Sequence, residues 1–349
     1  MTLFSNPEFH DHEQVSFFHD AASGLKAIIA IHSTAMGAVS GGGIRMRNYA
    51  TEDEALVDVL RLSRGMTYKS ALAGLPLGGA KSVIIGDPAV DKTPELWAAM
   101  ARAIESLGGR YIAGEDVGTN TADMDAMGKL TPHVASSIGP NTAPYTALGV
   151  YLAMRVAVNN QLGKDDLSRV RVALQGYGKV ASLLAELLVR DGAQVYGADV
   201  NEVALNAGVE KLGITAVPVA DIASLDVDVF APCALGGILN EHSIPRIRAC
   251  VVCGAANNQL ASPADDLRIH EAGILYMPDY LVNAGGVIAA VASTMRGIND
   301  HEGLVAEVER ISDSAEAVIT LSREQGIPMQ LAADRLAESM LAESRARAA

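Results

Sequence analysis

The 349-residue chain is 49% apolar and carries 33 glycines but only 4% aromatic residues, the composition of an aliphatic-packed α/β protein with many tight turns. Such a length exceeds one ordinary core and points to two domains. A formal charge of -14, with no basic patch or tail, argues against nucleic acid or anionic membrane as partners and leaves a small molecule.

The opening MTLFSNPEFHDHEQ has no basic leader followed by an apolar segment, and no stretch is long enough to span a bilayer, so the chain reads as cytoplasmic. Cys250 and Cys253 form a C-x-x-C inside RACVVCG, an apolar run that reads as a buried strand, where positions three apart face opposite sides. Neither that pair nor His10 with His12 completes a metal site, and no metal is expected.

Residues 13 to 32 hold two β-rich runs, EQVSFFH and LKAIIAIH, separated by DAASG; they read as a hairpin that opens a parallel or mixed sheet. In GAVSGGGIRM, Gly41, Gly42 and Gly43 allow two readings, a flexible turn or backbone N–H groups presented to an anionic ligand. TEDE at 51–54 fits a capping box, and Leu56, Val59, Leu60 and Met66 follow at helical spacing, which puts Lys69 just past the helix. The stretch GMTYKSALAGLPLGGAKSVIIGDP (65–88) then sets Lys69 and Lys81 across an apolar loop, with Lys81 opening the strand SVIIGDP. An ammonium among Met66, Leu72, Leu75, Leu77 and Val83 is partly desolvated, and a second nearby cation lowers its pKa further, so such a lysine can act as a base near neutral pH. The other reading is two lysines that snorkel to water from an ordinary loop.

A second helix starts at Thr93 and Pro94 and runs to about Leu107. The strand RYIAG ends in Glu115 and Asp116. A carboxylate at a strand's carboxyl end beside the turn EDVGT is where α/β enzymes put reactive groups, although an aspartate there also caps helices and forms turns. SIGPNTAPYT (137–146) marks the domain boundary before the helical ALGVYLAMRVAV.

The stretch RVRVALQGYGKVASLLAELLVRDGAQVYGADVN reads as strand, turn, amphipathic helix and second strand, in the order of a dinucleotide fingerprint. Gly176 serves the tight turn, Gly178 the close approach of pyrophosphate, and Ala181 the helix packing. Lys179 and Val180 open the helix whose N-terminus faces the phosphates. Asp199 ends the second strand, where it accepts ribose hydroxyls and repels a 2′-phosphate, which predicts NAD over NADP; Lys179 offsets part of that repulsion. Strands at VDVFAPCA, ACVVCGAA and GILYMPDYLV run into turns that should gather at one sheet edge. Asn257, Asn258 and Asn283 then either line a cofactor cleft or serve as ordinary turn residues. Past Val287 the chain reads helical to its end with a break at Gly326 and Pro328, and the segment from about Met329 reads as a helix packing on the first domain.

The stretches GMTYKSALAGLPLGGAKSVIIGDP, GRYIAGEDVGT, QGYGKVA, DVFAPCALGG, GAANNQL and PDYLVNAGGVI run in order from about residue 26 to 336 and resemble the leucine, phenylalanine and valine branch of the amino-acid dehydrogenase superfamily that includes glutamate dehydrogenase. The resemblance implies NAD-dependent, reversible oxidative deamination of an apolar L-amino acid to the 2-oxo acid and ammonia. It makes Lys69 the holder of the substrate carboxylate, helped by Gly42 or Gly43 and by Asn258. Lys81 becomes the general base toward water, and Asp116 exchanges a proton with the amine. Thr146 and Asn283 fall on the nicotinamide side, with Asn257, Lys179 and Val180 beside the cofactor. Gly41, Met66, Gly114, Ala135, Val287 and Ala290 are assigned to the substrate side.

Four of these positions depart from leucine enzymes toward smaller residues: Gly41 for leucine, Gly114 for alanine, Ala135 for threonine and Ala290 for valine. A wider pocket favours a larger substrate, so an aromatic one, phenylalanine or tryptophan, is expected ahead of leucine or valine. Glutamate ranks behind, because the positions at the far end of the pocket are glycine and alanine. A 2-hydroxy-acid dehydrogenase would need a histidine–carboxylate pair and an arginine clamp, and none stands out. A non-catalytic NAD-binding scaffold predicts loss of Lys69, Lys81 or Asp116, and all are present.

The expected fold is α/β in two domains with a cleft between them. Residues 1–137 and about 327–349 form an N-terminal substrate-binding and oligomerisation domain, and 138–326 a Rossmann-type NAD-binding domain. The resemblance also implies a homo-oligomer.

Overall fold

The computed structural model describes residues 3–135 and 141–348, and the chain forms two compact units, Met1–Gly139 with Ala337–Ala349, and Pro140–Leu336. A boundary at 137–138 lies outside the described residues. The return to the first unit comes at Ala337 and not near 327. The reason is a cap: Asp266 of the second unit accepts hydrogen bonds from the backbone N–H groups of Gln330 and Leu331 and holds the first turn of the last helix there.

In the first unit, β1 (Gln14–Asp20), β2 (Leu25–Ser33), β3 (Ser40–Arg47), α1 (Glu52–Leu72), β4 (Gly78–Ile85), α2 (Pro94–Glu105), β5 (Tyr111–Glu115) and α3 (Thr121–Gly128) build a mixed five-stranded sheet in the order β1-β2-β4-β3-β5. Both faces are covered, so β2 reads as a nearly continuous apolar run. On one face Ile29, Ile31, Ile44, Met46 and Ala80 pack with Trp97 and Met100 of α2; on the other Ile28, Ala30 and Val83 pack with Leu56, Val59 and Leu60 of α1. Alternation along each strand makes that division.

Helix α1 starts where its cap predicts, with Thr51 Oγ1 accepting from Glu54 N at 3.1 Å; the Glu54 carboxylate reaches Ala50 N and not the Thr51 N–H that a full capping box would use. It ends later than expected. Helix formers continue through Leu72, and the first stop is Gly74 at φ +61°. Lys69 therefore stands in the last turn of α1 and not in a loop, and Lys81 lies within β4 and does not open it. Gly41, Gly42 and Gly43 are also no loop: they belong to β3, which pairs in parallel with both β4 and β5.

The second unit opens with α4 (Ala143–Leu162) and continues through β6 (Arg171–Gln175), α5 (Lys179–Arg190), β7 (Gln194–Ala198), α6 (Glu202–Leu212), β8 (Thr215–Ala216), β9 (Val229–Pro232), β10 (Val251–Val252), α7 (Ala264–Glu271) and β11 (Leu275–Tyr276). The six strands are parallel in the order β11-β10-β9-β6-β7-β8. Strand order reverses between β6 and β9, the switch point at which doubly wound sheets bind ligands. Helices α8 (Asp279–Val282), α9 (Gly285–Arg296), α10 (His301–Glu309), α11 (Ile311–Gln325) and α12 (Met329–Ala348) follow. The run past Val287 breaks twice more than its sequence suggests: Gly297 takes φ +70° and Asp300 caps α10 through Gly303 N at 2.8 Å, and Arg310 separates α10 from α11. From Ala337 onward α12 belongs to the first unit, where Tyr68 donates to Glu338 at 2.8 Å and Ser344 to the Ala35 carbonyl at 2.7 Å. Among the described residues no helix is long and apolar enough to cross a membrane.

Candidate active site

Arg45 of β3 pairs in register with Val83 of β4, and Gly43 with Gly114 of β5. Alternation then sets Gly41, Gly43, Arg45, Lys81 and Gly114 on one sheet face, the face that α1 covers. The turn after β5 folds back over β3: Met46 N donates to the Val117 carbonyl at 2.9 Å, and Thr119 Oγ1 donates to the Ile44 carbonyl at 2.8 Å. Gly118 makes that approach possible, since a Cβ there would lie 1.9 Å from the Met46 carbonyl oxygen and its φ is +82°. The fold-back seats Asp116 above Gly43, whose own Cβ would fall 2.8 Å from that of Asp116. The glycines of β3 thus clear space for a carboxylate.

Lys81, 5% exposed, places Nζ 2.9 Å from Asp116 Oδ1. Arg45 Nε meets the other oxygen, Oδ2, at 2.7 Å, and its Nη1 meets Asp58 of α1 at 3.1 Å. Tyr49 donates to Asp58 Oδ2 at 2.6 Å. Burial holds the Lys81 amine below its ordinary range, and the Arg45 cation lowers it further against the opposing pull of Asp116. Burial raises the Asp116 carboxyl, but the Lys81 and Arg45 cations outweigh it and keep the group below its usual value and ionised. Arg45 is thus a second cation acting on Lys81, one to which the sequence does not point.

Lys69 and Met66 are half-buried on the C-terminal half of α1. A Cβ at Gly41 would lie 2.8 Å from Leu77 Cδ2, so Leu77 already fills the space that Gly41 leaves, whereas a Cβ at Gly114 would meet open space. Gly42 points to the opposite face, where its Cβ would lie 1.7 Å from the Ala80 carbonyl oxygen; it is a packing requirement of the sheet. Ala135 is exposed and hydrogen-bonds backbone to backbone with Ala113.

In the second unit, Gly176 takes φ +93° after β6, and a Cβ there would lie 2.8 Å from Ala234 Cβ in the turn after β9. The two turns of the switch point are in contact, which joins the motifs QGYGKVA and DVFAPCALGG. Gly178 is the N-cap of α5 with no side-chain cap, and a Cβ at Gly178 would meet nothing within 4 Å. Lys179 is exposed, Val180 half-buried, and Ala181 buried against the sheet. The free helix N-terminus, the open approach at Gly178 and the carboxylate of Asp199 fit a dinucleotide. Asp199 also braces the turn itself, accepting from Tyr177 N with Oδ2 and from Asn201 N at 2.7 Å with Oδ1, which ties the glycine turn to the end of β7.

The turn after β10 brings in Asn257 and Asn258, both exposed, the latter at φ +53°. Asn283, buried, donates to Asn257 Oδ1 at 2.8 Å and to the Ala255 carbonyl at 3.2 Å. A Cβ at Gly286 would lie 2.5 Å from Thr146 Oγ1, and one at Gly285 1.9 Å from the Tyr145 carbonyl oxygen, so the glycines of NAGG let α9 close on α4 and set Thr146 beside it. Val287 and Ala290 follow on α9, three residues apart on one side and half-buried. Cys250 and Cys253 are free thiols.

Sequence reasoning passes over Arg45, Asp58 and Tyr49. The one signal for Arg45 is its period-two spacing from Gly41 and Gly43; Asp58 and Tyr49 carry none, since only the packing of α1 on β3 brings them in.

Two family models cover the chain. Residues 12–133 match the Glu/Leu/Phe/Val dehydrogenase dimerisation domain, and residues 141–347 match Glutamate/Leucine/Phenylalanine/Valine dehydrogenase. The chain is 47% identical over 351 residues to leucine dehydrogenase of Geobacillus stearothermophilus, covering 99% of this chain and 95% of that protein. It is 46% identical over 354 residues to valine dehydrogenase of Streptomyces virginiae, covering 99% and 97%. The crystal structure of L-tryptophan dehydrogenase from Nostoc punctiforme superposes with a TM-score of 0.85 at 40% identity, covering 96% of this chain and 97% of that one. The chain belongs to the Glu/Leu/Phe/Val dehydrogenase family and is an amino-acid dehydrogenase with NAD as its cofactor.

Proposed function

We propose that the protein catalyses the reversible oxidative deamination of a branched aliphatic L-amino acid, leucine or valine, to the 2-oxo acid and ammonia. The observation that carries the chemistry is the buried Lys81–Asp116 pair at 2.9 Å, with the amine held below its ordinary pKa. Loss of hydride from the substrate's α-carbon leaves an iminium; a lysine that is readily neutral accepts a proton from water as the water adds to that carbon, and ionised Asp116 takes and returns the proton of the amino group. Lys69 holds the substrate carboxylate as a compact point charge. When bound, NAD would supply the hydride acceptor. Gly176, Gly178 and the N-terminus of α5 would hold its pyrophosphate, Asp199 its ribose, and Thr146, Asn257 and Asn283 would serve the nicotinamide side.

On substrate size, the relatives at 46–47% identity are named for leucine and valine, and this supports an aliphatic substrate over the aromatic one that the small residues suggest. A physical reason accompanies it: Leu77 occupies the volume that Gly41 vacates. The open space at Gly114 keeps the aromatic reading as a second one, with the tryptophan dehydrogenase structure in its favour. The dimerisation domain named by the first family model supports a homo-oligomer, and we infer a cytoplasmic one.

The test is the initial rate of NAD reduction at alkaline pH with Leu, Val, Ile, Phe, Tyr, Trp and Glu, with NADP in parallel. A kcat/KM for Leu or Val about tenfold or more above that for Phe and Trp is expected, the scale of one or two methylenes of contact. The reverse order restores the aromatic reading, and no turnover of any of them returns the chain to a binding scaffold.

A further inference from the structure

We propose that Arg45, anchored by Asp58 and Tyr49, is a positioning residue that orients the Asp116 carboxylate and serves as its permanent counter-ion, so that Lys81 can lose its proton without leaving a buried carboxylate unpaired. The inference rests on the reading of Lys81 and Asp116 as the proton-transfer pair and extends it to groups that do not touch the substrate.

Each oxygen of Asp116 has its own cation, Oδ1 that of Lys81 at 2.9 Å and Oδ2 that of Arg45 at 2.7 Å. A guanidinium is planar and keeps its charge across any working pH, so its Nε and Nη1 hold Asp116 and Asp58 in a fixed relation. Asp58 is itself fixed on α1 by the 2.6 Å hydrogen bond from Tyr49. A lysine–carboxylate pair alone would resist neutralisation of the lysine, because the remaining buried charge would have no partner. With Arg45 present, Asp116 keeps a cationic partner whenever it is ionised, whether Lys81 is charged or neutral, and Arg45 also repels the Lys81 ammonium.

Among the described residues, the charged groups acting on Lys81 include Asp116 from the turn after β5, Arg45 of β3 and Asp58 of α1. β2 places His32 two residues beyond Ala30, the register partner of Lys81; burial pushes that imidazole down to about 3, so it is neutral where the enzyme would be assayed.

The experiment measures Arg45→Gln, Arg45→Lys and Asp58→Asn in the full chain by two routes: the pH profile of kcat and kcat/KM, and the pH dependence of Lys81 carbamylation by cyanate, followed by peptide mass spectrometry. Cyanate reacts with the neutral amine and reads Lys81 whether or not any amino acid is turned over.

In Arg45→Gln the midpoint of both profiles should move up by about one pH unit, a tenfold lower rate below it, with the amino-acid KM nearly unchanged. Arg45→Lys keeps the charge but not the fork, so the midpoint should return toward wild type while kcat stays low. Asp58→Asn removes a carboxylate that favours the Lys81 ammonium, and its midpoint should move the other way, to lower pH. A merely structural role predicts no such opposite displacements.

Unchanged cyanate midpoints in folded Arg45→Gln overturn the proposal, and so does a rise in KM with kcat intact, which would make Arg45 a substrate ligand. Should Arg45→Gln not fold, Asp58→Asn and Arg45→Lys decide: an unmoved midpoint in the first together with wild-type kcat in the second overturns it. A wild-type enzyme inactive on every amino acid would end the deamination reading, and the cyanate profiles would still show whether Arg45 sets the state of Lys81.

Discussion

In the N-terminal unit Lys81, Asp116, Arg45 and Asp58 hold one another over a sheet face, all mostly withdrawn from water. The turn after β6 in the other unit works with backbone: a glycine at φ +93°, an uncapped helix N-terminus, and an acid pinned by two N–H groups. Side chains that must change charge need neighbours that compensate each state, whereas a ligand that keeps its charge needs only fixed dipoles. The first kind of site is broken by removing charge and the second by adding a methyl group.

The largest effect should come from the charged site. Lys81→Ala removes the proton acceptor, and turnover should fall by about 10²–10⁴, the usual contribution of a general base. NAD affinity, read by equilibrium titration, should stay within about twofold, since the change lies in the other unit. Near-normal turnover would remove Lys81 from the proton path.

Gly176→Ala makes the complementary change. Its Cβ must enter a space 2.8 Å from Ala234 Cβ, on a backbone at φ +93° that an alanine rarely adopts. A strain of this type costs about 1–3 kcal/mol, and NAD should bind roughly tenfold to a hundredfold more weakly. Carbamylation of Lys81 by cyanate should be as in wild type. Full NAD affinity in this variant would mean that the turn relaxes and that its geometry is not what holds the cofactor.

The same contrast explains what the sequence reveals. The dinucleotide turn is contiguous: Gly176, Gly178, Ala181 and Asp199 stand in one strand–turn–helix–strand unit, so spacing alone locates it. The two sheets and the capped helix starts are legible for the same local reasons, period-two apolar runs and Thr51 or Thr93 before a helix. The charge cluster is assembled from β3, β4, α1 and a turn, and no local rule brings Asp58 to Arg45. Lys81 and Asp116 are visible through their surroundings, their partners only through tertiary packing. The end of α1 is misplaced in the sequence because Lys69 looks like a loop residue among glycines, whereas the helix runs on until Gly74 reverses its backbone. The tight β3 glycines resemble a turn because glycine is common there; here they answer to the Ala80 carbonyl and to Asp116.

Acid should bring out the smallest effect, and it should begin in the N-terminal unit. His12 and His32 pack edge to face at 4.8 Å under α1, His12 donating to the Leu60 carbonyl at 3.1 Å and His32 sharing a 2.9 Å hydrogen bond with Thr67. Among the described residues His12 Nδ1 has no hydrogen-bond partner, so protonation there would bury an unpaired N–H. Burial lowers the two imidazoles to about 4 and about 3, against 6.5 when free. Folded values below the unfolded one mean that the unfolded chain binds protons first, so the stabilisation is complete above pH 6.5 and is lost as pH falls toward 4 and then 3. Trp97 is the single tryptophan of the chain and lies buried in α2, so its fluorescence reports this unit alone. Urea midpoints followed through Trp97 should decline between pH 7 and pH 4.5 in wild type and decline less steeply in His12→Asn/His32→Asn. Equal slopes in the two proteins would show that the imidazoles take up protons in the folded unit, and that burial on this face does not keep them neutral.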